Sequence, residues 1–221
     1  MLEISLESFF DSVQENWRIA INLQVAKQQI IGIYGESGVG KTTFLKTIAG
    51  LQQPRKGKIN LNGNLLLDSE SNISLPSKKR KVAFVFQDYN LFPHMSVAQN
   101  IKFSSASNLI SPEILKLIEE AGLNALLEKK PKELSGGQKQ RAAILKAFAQ
   151  ESEIILMDEP FSAVDDDTCD RLIQEILNIQ NQKPKYIFVV SHRKQQLKKL
   201  CGEILVLKKN EQALMIPSKN L

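Results

Sequence analysis

Cysteine is nearly absent from this chain. Cys169 and Cys201 are its only two, and they are isolated. That excludes a disulfide framework and a zinc site, and leaves two incidental thiols of a reducing compartment. Long apolar runs are missing as well. None approaches the ~20 residues that a membrane span needs. The opening Met1-Leu2-Glu3-Ile4 has no basic leader and no cleavage pattern, so the expected location is the cytoplasm. Charge of one sign is scarce: 29 basic and 24 acidic residues leave a net charge of +5. The clusters Lys78-Lys79-Arg80-Lys81 and Lys208-Lys209 could favour nucleic acid or an anionic membrane surface. The reading adopted is a solvated face, with no nucleic acid expected. No internal repeat or low-complexity tract is visible, and no N-K-x-D guanine motif occurs.

What is present is ordinary globular material. With 221 residues and 43% hydrophobic composition, the chain can fill one large domain, taken as residues 1–221. Short apolar runs at 17–23, 30–34, 82–86, 154–157, 186–190 and 204–207 predict strands, the later ones buried and largely parallel. Helical composition follows at 41–49, ended by Gly50, and again at 168–182. There Leu172, Ile173, Ile176, Leu177 and Ile179 share a face, and Asp166 and Asp167 suit the N-terminal end. Strands alternating with helices argue for an α/β core. Between about 88 and 150 the strand signals vanish. One helix starts at Ser111-Pro112-Glu113 and stops at Gly122, and another runs from Ser135 to about Ala149. This stretch is expected to be a helical subdomain inserted in the core.

Gly35-Glu36-Ser37-Gly38-Val39-Gly40-Lys41-Thr42 fits the pattern G-x-x-x-x-G-K-[ST] and lies between a strand and a helix, the context a phosphate-cradling P-loop requires. The glycines let backbone N–H groups turn toward phosphate oxygens, and the helix start adds its positive dipole end. Lys41 is expected to reach the β- and γ-phosphates of ATP, Thr42 to bind Mg²⁺, and Thr43 to support an α-phosphate contact. Asp158 closes the run Ile154-Ile155-Leu156-Met157. It therefore stands at the carboxyl end of a buried strand, where it can hold Mg²⁺ through water. Glu159 follows, placed to orient or deprotonate an attacking water. His192 lies just past another strand, where it can contact the γ-phosphate. His94 is assigned no chemistry.

A second glycine-rich segment, Leu134-Ser135-Gly136-Gly137-Gln138, opens the later helix. Glycine is poor inside helices, so the pair suggests a backbone contact. Together, the P-loop, this segment and the Asp158-Glu159 strand resemble the ATPase subunits of ATP-binding-cassette (ABC) transporters over nearly the whole chain. The resemblance implies a P-loop core of ABC type with an N-terminal antiparallel β portion. It implies that Ser135, Gly136, Gly137 and Gln138 contact the γ-phosphate held by the opposing subunit's P-loop. It also implies that Gln87 senses Mg²⁺ and the attacking water, and that Phe161-Ser162-Ala163-Val164-Asp165 crosses a dimer interface. Val164 stands where Leu is usual, and Arg193 stands where Asp usually follows the histidine. Phe9, Phe10 and Trp17 are the candidates for stacking on adenine.

The function so implied is ATP hydrolysis coupled to transport. A homodimer would be bound to integral membrane permease subunits, with a periplasmic or lipoprotein solute-binding protein, on the inner face of the cell membrane. The stretches Leu66-Leu67-Asp68-Ser69, Ile73-Ser74-Leu75-Pro76 and Lys79-Arg80-Lys81-Val82 look like molybdate importer ATPases, as do Phe86-Gln87-Asp88 and Pro93-His94. Molybdate or another oxyanion is therefore the expected cargo. The chain ends soon after the core, without room for the C-terminal regulatory domain of many importer ATPases. The alternative is a soluble, non-transport ABC ATPase acting on nucleic acid or the ribosome; such relatives usually carry coiled-coil insertions or fused cassettes, which this length does not hold.

Overall fold

The computed structural model describes residues 1–11 and 16–221. The side chains of Phe9, Phe10, Asp11 and Asn16 lie outside the described set, and with them two of the three adenine-stacking candidates. In chain order the strands are β1 (Leu2–Asp11), β2 (Asn16–Val25), β3 (Ile30–Gly35), β4 (Lys56–Leu61), β5 (Asn64–Asp68), β6 (Ile73–Ser74), β7 (Val82–Val85), β8 (Ile154–Asp158), β9 (Tyr186–Val190), β10 (Glu203–Leu207) and β11 (Leu214–Pro217). The helices are α1 (Lys41–Ile48), α2 (Val97–Ser104), α3 (Pro112–Glu120), α4 (Gly136–Ala149), α5 (Asp166–Gln182) and α6 (Lys194–Leu200).

Two sheets result. An antiparallel sheet has the order β2-β1-β4-β5-β6, and a second has the order β11-β10-β3-β9-β8-β7. In the second sheet β10, β3, β9, β8 and β7 are parallel, and β11 closes the edge antiparallel to β10. Period-2 alternation sorts the parallel strands between two cores. Ile31, Ile33, Ile154, Leu156, Phe188 and Val190 face one core, shared with Leu2, Ile4, Ile19 and Ile21 of the antiparallel sheet and Phe44, Leu45 and Ile48 of α1. Ile30, Ile155, Met157, Ile187 and Val189 face the other, formed with α2 to α6. Helix α1 thus lies between the sheets, its N-terminus at the carboxyl ends of β3 and β8.

Each predicted strand and helix is present, with ends shifted by no more than two residues. No strand occurs between β7 and β8 among the described residues, and α2, α3 and α4 occupy that stretch. Ser111 stands at the N-cap of α3 but makes no side-chain capping bond. β1, β4 to β6, β11, α2 and α6 were not among the individually predicted elements. Arg80 corrects the solvated reading of its cluster, because it is 1% exposed. Its guanidinium donates to the carbonyls of Thr47 and Ile48 at 2.9 and 3.0 Å and of Leu75 at 2.6 Å. A buried cation is tolerable there because the last carbonyls of α1 carry the negative end of the helix dipole.

Candidate functional site

A cleft of about 430 Å³ opens at the carboxyl ends of β3, β8 and β9. It is lined by Ser37, Gly38, Gly40, Lys41, Thr42 and Thr43 from the first glycine-rich loop, by Gln87, Asp158 and Glu159, and by Ser162, Val190 and His192. Ten of the sequence-predicted site residues, from four separate regions, therefore meet. Gly38 and Gly40 have φ of 75° and 110°, a left-handed turn that a side chain would strain. Gly35 has a different reason from the one expected. Its φ is not positive; a Cβ there would sit 2.5 Å from the Leu207 carbonyl oxygen, so close packing on β10 demands the glycine. Glu36 and Ser37 are exposed, while Val39 is buried at 1% and anchors the loop in the core.

The loop is preformed. Lys41 Nζ donates to the carbonyls of Gly35 and Glu36 at 2.9 and 2.8 Å, which arches the loop over the ammonium group. Burial pushes the Lys41 pKa down, opposed by the nearby charges of Glu159 and Asp158. Thr42 Oγ1 donates to Asp158 Oδ2 at 2.7 Å, so a hydroxyl and a carboxylate share one edge of the cleft. Two hard oxygens side by side, with Gln87 on the same cleft, suit Mg²⁺, which takes one or two protein oxygens and completes its shell with phosphate and water. The residues fit the ion.

Glu159 leaves β8 with φ of 52°, in the left-handed region that a non-glycine residue enters only when its surroundings hold it. Three backbone bonds do so: its N–H donates to the Val190 carbonyl at 3.1 Å, while its own carbonyl accepts from Ser162 N–H and from Gln140. The carboxylate faces His192, with Nε2 to Oε1 at 3.4 Å. Oε1 is buried and lacks a hydrogen-bond partner among the described residues. Burial raises the Glu159 pKa, His192 opposes the rise, and Asp158 adds to it. A carboxylate with elevated basicity and a free acceptor atom is what a general base requires.

The second glycine-rich segment does not line this cleft. Ser135 is the N-cap of α4 in a capping box: its hydroxyl accepts from Gln138 N–H at 3.3 Å, and Gln138 Oε1 accepts from Ser135 N–H at 2.9 Å. Gly137 is forced by a contact within the chain, since a Cβ there would lie 2.4 Å from the Ala163 carbonyl oxygen. Gly136 would meet only the Tyr89 hydroxyl, at 3.2 Å. Trp17 is half-buried against the inter-sheet core, with Lys209 Nζ 4.5 Å from its ring centre, and it too is outside the cleft.

Gln140 escaped the sequence reading. It is fully buried and bonded to the loop after Glu159. The available signal was its place on the stripe with Ala143, Ile144 and Ala147: a polar residue in a core position of an amphipathic helix.

A glycine-rich loop arched over a lysine at a helix start, facing a strand-end carboxylate, defines a P-loop nucleotide-binding protein. The sequence profile of the ABC transporter family matches residues 19–162, and the chain belongs to that family. It is 35% identical to the molybdenum import ATP-binding protein ModC of Haemophilus ducreyi over 211 residues, 96% of this chain and 59% of that protein. It is 35% identical to ModC of Escherichia coli over 206 residues, 93% of this chain and 58% of that protein. The chain therefore spans less than two thirds of the length of these relatives. Among solved structures, a dimeric ATP-binding cassette, MJ0796, in a post-hydrolysis state bound to ADP and Pi superposes with a TM-score of 0.80 at 27% identity, covering 99% of both chains. A second dimeric structure of MJ0796, described as a bacterial ABC transporter cassette, gives 0.81 at 26% identity.

Proposed function

We propose that this protein is the ATP-hydrolysing subunit of an ABC importer. The observation that carries the reading is the division of labour between two loops. One chain holds a preformed phosphate cleft, and its second glycine-rich segment is presented on the separate cap of α4, outside that cleft. Two copies related by a two-fold axis can complete each other, so the proposed unit is a homodimer with two composite sites. Each has the P-loop of one copy against Ser135, Gly136, Gly137 and Gln138 of the other. The 27%-identical MJ0796 cassette is dimeric, which supports this.

In this reading the P-loop N–H groups and Lys41 hold the phosphates. Lys41 exchanges its loop carbonyls for phosphate oxygens, a trade favoured by its burial. Thr42, Asp158 and Gln87 hold Mg²⁺, which when bound neutralises charge on the transferred phosphoryl group. Glu159 takes the proton of the attacking water, and His192 contacts the γ-phosphate while steadying the Glu159 carboxylate. ATP that binds the closed dimer better than the open one then drives closure. Residues 88–150 form the helical subdomain within the single domain 1–221 and present the second loop.

Permease subunits with a solute-binding protein are the proposed partners, on the inner face of the membrane; no described helix is long and apolar enough to cross it alone. The proposed cargo is molybdate, supported by the 35% identity to ModC proteins. Mixing Lys41→Ala with Ser135→Arg chains tests the dimer. One site of the mixed dimer keeps both intact halves, so activity returns only on mixing; a mixture no more active than either variant, with exchange verified, overturns the composite site. Deleting the gene tests the cargo: molybdate uptake falls, while loss of sulfate or ferric iron uptake alone overturns that choice.

A further inference from the structure

Gln140 is a neutral side chain with 0% exposure, on the face of α4 that meets the loop after β8. Both ends of its amide are used. Nε2 donates to the Glu159 carbonyl at 2.6 Å and to Ser162 Oγ at 3.0 Å, and Oε1 accepts from Ala163 N–H at 2.7 Å. The partners fix the amide's orientation, because a carbonyl only accepts and an N–H only donates. Gly137, one turn earlier on the same face, lies against the Ala163 carbonyl so closely that a Cβ would not fit. The first turns of α4 are thus locked to the segment that follows the base.

The carbonyl that Gln140 holds belongs to the residue with the strained backbone. At φ of 52°, Glu159 occupies a conformation that a non-glycine residue keeps only when its surroundings hold it. The bond from Gln140 opposes relaxation, because losing it leaves buried polar groups short of a partner.

From this geometry we infer that Gln140 is a positioning residue for Glu159, resting on the proposed hydrolysis. It holds the base in its left-handed turn and ties that turn to the helix whose cap serves the opposite site. A displacement of Ser135 by the opposing nucleotide is then carried through one rigid helix turn to the base of its own chain.

The test uses Gln140→Met, which keeps the length and volume of the side chain and removes its hydrogen bonds, beside Gln140→Ala. Turnover of ATP is expected to fall roughly 10–100-fold in both. The Kd for ADP stays at the parent value, while the urea midpoint of Gln140→Met falls, because the Glu159 carbonyl and the Ala163 N–H lose a buried partner. Full turnover in Gln140→Met overturns the assignment. So does a loss confined to nucleotide affinity, since a packing role produces that. The mixed dimer of Lys41→Ala and Ser135→Arg chains adds a readout that a structural role does not move. Its intact site takes the P-loop and Glu159 from the Ser135→Arg chain. Gln140→Met placed in that chain lowers activity roughly 10–100-fold; placed in the other, it costs less than about threefold. Equal or reversed losses overturn the assignment. An inactive parental mixture counts against the composite site instead, and the turnover comparison then decides Gln140 by itself.

Discussion

The two glycine-rich loops have similar composition and opposite construction. Both begin a helix and both put small residues where backbone must approach something closely. The first is concave and internally paired: Lys41 is bonded to Gly35 and Glu36, and Thr42 to Asp158. Its open glycines serve the backbone conformation. The second lies outside the cleft, its serine already committed to capping α4, and its constrained glycine serves packing against Ala163. On the proposed composite site, the difference teaches that the presented half needs rigidity. A site that receives the ligand needs a preformed hollow.

The sharpest way to break the comparison is at the base. Glu159→Gln is expected to keep ATP binding and to lower turnover by about 10²–10⁴-fold, leaving an ATP-trapped dimer visible by gel filtration. Parent-like turnover would remove Glu159 from the chemistry. The same carboxyl is expected to set the acid limb of the rate profile. Its pKa is raised by burial, so activity is lost as pH falls through a value above the ordinary carboxylate range. For stability the sign is opposite. A carboxyl with a folded pKa above its unfolded value binds more protons when folded, so it destabilises the fold as pH rises through that window. Glu159→Gln should therefore be at least as stable as the parent at pH 7 in urea denaturation.

Smaller changes separate the glycines. Ala for Gly in a helix ordinarily stabilises by roughly 0.5–1 kcal/mol. Gly136→Ala should show that sign or stay neutral, because the Tyr89 hydroxyl it meets at 3.2 Å can move. Gly137→Ala should destabilise by about 1–3 kcal/mol, because its obstacle at 2.4 Å is backbone. Gly38→Ala in the first loop has open space and a φ of 75°, so its cost is conformational, about 1–2 kcal/mol. Equal urea midpoints for Gly136→Ala and Gly137→Ala would erase the distinction.

The smallest effect concerns the seating of the helical segment on the core. Glu113 of α3 pairs with Lys183 just past α5 at 2.6 Å, and that pairing leads the causes that hold its pKa at about 2. The lowered carboxylate contributes stability above its unfolded pKa and loses it as pH falls toward 2. With Lys183 well exposed, Glu113→Gln should cost under about 1 kcal/mol at pH 7 and less at pH 2.

Most of the phosphate cleft was legible because its parts are local. A strand, a turn and a helix carrying Lys41 and Thr42 lie within about one βα unit, and Asp158, Glu159 and His192 each follow an apolar run that marks a strand end. What stayed hidden was long-range. The antiparallel strands β4 and β5 are short and polar on one face, and only the pairing of β4 with β1, and of β5 with β4, gives them a reason to exist. Arg80 sits in a basic run that looks solvated until α1 supplies carbonyls for it. Gln140 needs the loop 159–163 folded beside it before its amide has partners. Gly35 and Gly137 were read as ligand contacts; their constraint comes from Leu207 and Ala163, which sequence spacing does not bring near.

The alternation of β8 has a consequence for how this protein can change. Met157 faces the helices, and Asp158 faces α1. A deletion of one residue from 154–157 exchanges those faces, putting a carboxylate among Leu172, Ile173 and Ile176 and a thioether beside Thr42. Both neighbours, β7 and β9, are held in register along the strand, so no edge is free to absorb the slip. Substitutions here can be graded and compensated one side chain at a time. Length changes cannot, so insertions and deletions in descendants of this chain should collect in the connections at 104–111 and 208–213 and leave the central strands at constant length.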